Sequence, residues 1–115
     1  MINMSMWPQS SRGPNIRDIQ KPNIVAPGVN IISSYPNNRY GTITGTAAAA
    51  AFASGVAALF FQYVTQNNQY KRQGFSQSIY TFFELGADRE EGVQYPNFIQ
   101  GYGLLNARKI FEIFR

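Results

Sequence analysis

The chain has 115 residues, no cysteine and no histidine, and its 10 Lys and Arg against 6 Asp and Glu give a net charge of +4. That length fits one small domain or a piece of a larger one, and 44% hydrophobic residues suffice for a core, so the chain does not read as disordered. The missing residue types exclude a disulfide framework, a thiolate nucleophile, a Cys- or His-ligated metal, and a Ser-His-Asp triad built from this chain alone.

Residues 1–8 (MINMSMWP) carry no basic stretch followed by an apolar run, so they are not a signal peptide. They also open without a strand or helix of their own, as expected of a sequence that starts inside a larger domain. Residues 9–40 are rich in Pro, Gly, Asn and Ser. Between the breaks, Ile24–Ala26 and Val29–Ile32 are predicted as short strands from their β-branched content, with Pro27-Gly28 as the turn between them.

The composition then changes. Ala47 to Val64 reads AAAAAFASGVAALFFQYV and predicts a helix apolar all round. Phe52, Val56, Leu59, Phe60 and Tyr63 share one face, and Ala47, Ala50, Ala51, Ser54 and Ala58 make a small-residue side. Such a helix is buried in a core or spans a membrane. Its 18 residues are near the shortest length for a span, and its alanines gain little from lipid, which argues for a core helix packed on a sheet.

Asn67–Gly74 reads as a polar linker and Ser76–Leu85 as a second helix, with Ser76 as N-cap, Gly86 as stop, and Ile79, Phe82, Phe83 and Leu85 toward the core. A charged loop over 87–100 and the tight Gly101-Tyr102-Gly103 segment lead to a terminal helix over Leu104–Phe114. That helix is capped by Asn106, with Leu105, Ile110, Phe111 and Phe114 as its apolar contacts. The fold class is α/β: short strands, then a buried central helix and two further helices.

Two adjacent basic pairs, Lys71-Arg72 and Arg108-Lys109, do not make a nucleic-acid stripe. No acidic cluster has calcium-site spacing, and no cofactor or metal is implied. The chemistry is concentrated in Gly41–Thr46, which enters the Ala47 helix. Free N–H groups at a helix start can stabilise an oxyanion, and the helix dipole favours it. By itself the pattern also fits a plain helix cap.

Residues 44–55, TGTAAAAAFASG, resemble the serine box of the subtilisin-like serine proteases (peptidase S8), whose pattern is Gly-Thr-Ser-Met-Ala-Ala/Thr-Pro-His-Val-Ala/Ser-Gly. Gly45, Thr46, Ala49, Ala50, Ser54 and Gly55 match it. Ser11-Arg12-Gly13-Pro14 and the run Lys21 to Val29 (KPNIVAPGV) are similar to two further family strings, and Tyr40-Gly41 to a third. Gly86-Ala87-Asp88-Arg89, Tyr95-Pro96-Asn97 and Gly101-Tyr102-Gly103 resemble the C-terminal ends of the clostridial Csp-type spore-germination subtilases, a branch with members that have lost catalytic residues.

The resemblance implies the C-terminal part of a parallel-sheet subtilase domain spanning 1–115, with the family's aspartate, histidine and oxyanion asparagine upstream. The departures imply loss of activity. Ala47 stands at the nucleophile position, where a methyl group cannot attack a carbonyl. Ala48, Ala51, Phe52 and Asn23 replace the family's methionine, proline, histidine and aspartate. Ser54 lies about 10 Å farther along the helix and is no substitute, and Thr46 has no histidine to activate it.

What remains is an oxyanion remnant at Thr46 and Ala47, in a serine-box turn marked by Gly45 and Gly55. The expected function is a non-catalytic subtilase-like chain that binds a peptide or propeptide segment, or a related subtilase. No nucleic acid is expected as partner, and a bacterial, spore-associated or secreted setting is implied. The alternatives are part of an active endopeptidase completed by an upstream segment, and a small membrane protein spanning at 47–64.

Overall fold

The computed structural model describes residues 4–66 and 75–114. Its elements are strands β1 (Ile31–Tyr35) and β2 (Arg39–Ile43), then helices α1 (Thr46–Gln66), α2 (Phe75–Leu85) and α3 (Ala107–Phe114). The predicted linker Asn67–Gly74, with Lys71-Arg72, lies outside the described residues, as do the side chains of Ser76 and Phe114.

β1 and β2 form an antiparallel hairpin, from Ile31 opposite Ile43 to Tyr35 opposite Arg39. The chain reverses at Asn37 and Asn38, with φ of 66° and 57°, a left-handed conformation that asparagine tolerates. The Tyr35 hydroxyl donates to the Thr42 carbonyl at 2.9 Å, and its ring covers Gly41. Two expectations change here. The strand predicted at Val29–Ile32 begins at Ile31, because Asn30 takes φ 53° and breaks the extended run. Part of the segment read as a helix lead-in, Gly41–Ile43, belongs to β2.

Ile24–Ala26 forms no ladder of its own. Val25 makes a single parallel bridge to Leu104, and Leu104 also bridges Asp88 on its other side. The backbone bonds are Val25 N–H to Gly103 O at 3.0 Å, Leu105 N–H to Val25 O at 2.8 Å, and a reciprocal Asp88–Leu104 pair at 2.7 and 2.8 Å. With Leu104 held on both sides it cannot be helical, so α3 starts at Ala107 instead of the predicted Leu104. Asn106 caps it as expected, its Oδ1 accepting the Lys109 N–H at 3.1 Å. The approach at Gly101 is close: φ is 60°, and a Cβ there would lie 2.3 Å from the Asn23 carbonyl oxygen.

The core gathers where three helices meet. Val56, Phe60, Val64 and Ile110 are buried, with Tyr63, Ile79, Phe82, Phe83, Leu105 and Phe111 packed around them. Phe60 lies 5.4 Å from Phe82 and 5.6 Å from Phe111, and Tyr63 meets Phe111 edge-on at 5.3 Å. The predicted face of α1 is therefore only half right. Val56, Phe60 and Tyr63 face inward and Val64 joins them, but Phe52 is 46% and Leu59 59% exposed. The residues of α2 and α3 in this core meet α1 between Val56 and Val64, so its first half lacks their cover. Leu85, predicted inward, is exposed at the last residue of α2, just before Gly86 packs against Ile110. By length and composition α1 could cross a membrane, yet its Val56–Phe60–Val64 stripe is spent on α2 and α3.

Asp88 ties the loop after α2 to α3. Its carboxylate accepts from Asn106 Nδ2 at 2.8 Å and pairs with Lys109 Nζ, and only 15% of its side chain is exposed. Burial pushes its pKa up, but the hydrogen bonds from Lys109 and Asn106 and the Lys109 charge outweigh that and hold it below 3.8. A carboxyl lowered on folding stabilises above its unfolded pKa, and the gain is lost as pH falls through the folded value. Asp88→Ala should cost about 1–3 kcal/mol near neutrality, read as faster proteolysis in urea. The difference from the parent should shrink as pH drops below 3.8. An undiminished difference at about pH 3 would contradict this linkage.

Candidate functional site

The site is a turn between a strand and a helix. β2 delivers the chain to Thr44, and α1 begins two residues later at Thr46. The turn is fastened to the preceding Pro27–Asn30 segment. Gly45 N–H donates to the Gly28 carbonyl at 2.8 Å, and Asn30 N–H donates to Thr44 Oγ1 at 2.9 Å. A Cβ at Gly28 would sit 2.7 Å from the Gly45 carbonyl oxygen and 3.1 Å from the Ala49 methyl. Gly28→Ala should therefore push the turn away and cost about 1–3 kcal/mol. Gly55→Ala has nothing within 4 Å of the new methyl and removes a helix-interior glycine, so it should stabilise by about 0.5–1 kcal/mol. Equal responses from the two variants, again read by proteolysis in urea, would refute the packing argument.

Gly45 occupies the N-cap, where its carbonyl receives the Ala49 N–H at 3.3 Å. The three N–H groups ahead of that bond, on Thr46, Ala47 and Ala48, have no intrahelical acceptor, and glycine offers no side-chain oxygen to cap them. No acidic residue sits in the first turn of α1 to offset the positive end of the helix. Thr46 and Ala47 are exposed and Ala48 is buried. The arrangement can donate hydrogen bonds to an anionic or carbonyl oxygen lying outside Ala47.

Neither Ala47 nor Ser54 presents a free hydroxyl at the turn. Ala47 offers a methyl, and the Ser54 hydroxyl donates back to the Ala50 carbonyl at 2.8 Å inside the helix. Four of the six acids are engaged elsewhere: Glu84 accepts from Asn23 Nδ2 at 3.3 Å, Asp88 pairs with Lys109, Glu90 accepts from the Met4 N–H, and Glu112 pairs with Arg108 at 3.1 Å. Among the described residues, no group of three or more His, Cys, Asp or Glu could hold a metal ion. Gly45, Thr46 and Ala47 are adjacent in the turn. Gly55, read from the sequence as part of it, lies mid-helix about 15 Å farther along α1 and contributes nothing there.

Beside the turn is a cavity of about 600 Å³. Ala49, Ala50 and Ala53 of α1 line it, of which Ala50 alone belongs to the small-residue side read from the sequence, together with Gly45, Thr46, Ile24–Val29 and Leu104. Met4, Met6 and Trp7 close another side. The first eight residues, expected to have no element of their own, thus contribute these three side chains to this cavity. Their one available signal was three large apolar side chains within four residues, without the regular period of a helix or strand.

The subtilase family model matches residues 2–103. Pyrolysin from Pyrococcus furiosus is 36% identical over 113 residues, covering 92% of this chain and 8% of its own length. The major intracellular serine protease of Bacillus subtilis is 48% identical over 48 residues, covering 42% of this chain and 15% of its own. The solved structure of the Clostridium perfringens CspB protease superposes with a TM-score of 0.75 at 32% identity, over 88% of this chain and 22% of that one. The chain thus spans between 8% and 22% of the length of these relatives.

Proposed function

The chain belongs to the subtilase family, and on that premise we propose that it is the serine-box portion of a subtilase domain that has lost its nucleophile and acts by binding instead of cutting. One observation carries the reading. The strand-to-helix turn that resembles the family's serine box keeps its fastened backbone and open N–H donors, but the residue at the nucleophile position is Ala47. Without a hydroxyl no acyl-enzyme forms there. Donors without a nucleophile can still hold a carbonyl or carboxylate oxygen, so a peptide or propeptide segment, or a related subtilase, is the partner in this reading.

The test is reaction with a fluorophosphonate probe. The unmodified protein should remain unlabelled at concentrations that label an active subtilase to completion. Labelling of the unmodified protein would overturn the proposal in favour of an active endopeptidase completed by another segment. The core contacts of Val56, Phe60 and Val64 favour a domain helix over a membrane span for α1.

The resemblance of the Gly86–Arg89, Tyr95–Asn97 and Gly101–Gly103 strings to the Csp-type branch, together with similarity to a clostridial CspB protease, supports a role in spore germination. Removal of the gene should delay or abolish germination, and an Ala47→Gly copy should restore it, because no chemistry at that position is needed. Rescue by an Ala47→Ser copy alone would point to proteolysis instead.

A further inference from the structure

We draw no further inference here: the strongest candidate, the exposed Ile32 and Tyr40 face of the β1–β2 hairpin with its open strand edges, carries nothing because no feature of the structure shows what covers it.

Discussion

Ala47→Ser, placed in a protein that also carries the family's aspartate and histidine segments, should gain fluorophosphonate labelling and peptide hydrolysis, while the alanine form shows neither. The expected gain is about 10⁴–10⁶-fold in rate, the size of the loss when a triad member is removed from a working serine protease. The basis is local. Ala47 is exposed at the second position of α1, where a serine Oγ would reach solvent without displacing a core side chain. The turn is already held by Gly45 to Gly28 and Asn30 to Thr44, so the hydroxyl would arrive on a prepared scaffold. Ala48→Ser serves as the control. Ala48 is buried, so a hydroxyl there gives no nucleophile and costs stability. If Ala47→Ser stays inert in a folded domain, the scaffold has drifted beyond the loss of one oxygen. If both serine variants react equally, the nucleophile position has been misassigned.

The parts of the fold that were readable are those fixed by short-range chemistry. The long helix, the second helix, the Asn106 cap and the stop before Gly86 follow from composition and capping, and the structure has them within a few residues. Two of the departures come from backbone pairing that a local pattern does not display. Leu104 reads as helical until its backbone is seen bridged to both Val25 and Asp88. β2 reads as a turn because its partner is a second short run across Asn37-Asn38, a hairpin signal that periodicity over five residues does not reveal. The turn into α1 was legible from Gly45 and Thr46, since a turn is local. The cavity beside it was not, because it forms between segments about 20 to 100 residues apart in the chain.

The same distinction between helix pattern and helix cover leads to the second large effect. α1 reads as buried on every side, yet among its described residues only Ala48, Val56, Phe60 and Val64 are buried. Phe52 and Leu59 lie on the solvent side, with Phe61 exposed as well. At about 25 cal/mol per Å² of apolar area, leaving several large side chains in water forgoes several kcal/mol, comparable to the marginal stability of a whole small domain. The 115-residue chain on its own should therefore self-associate as its concentration rises, seen as a growing sedimentation coefficient. Leu59→Glu, alone or with Phe52→Glu, should raise the monomer fraction, because it removes apolar surface from the exposed side without touching the core. Phe60→Ala should act in the opposite way. Its ring is fully buried against Phe82 and Phe111, so truncation should cost about 3–5 kcal/mol and increase association through unfolding. A chain that stays monomeric at high concentration and melts in one sharp transition would show that the exposed side of α1 needs no cover.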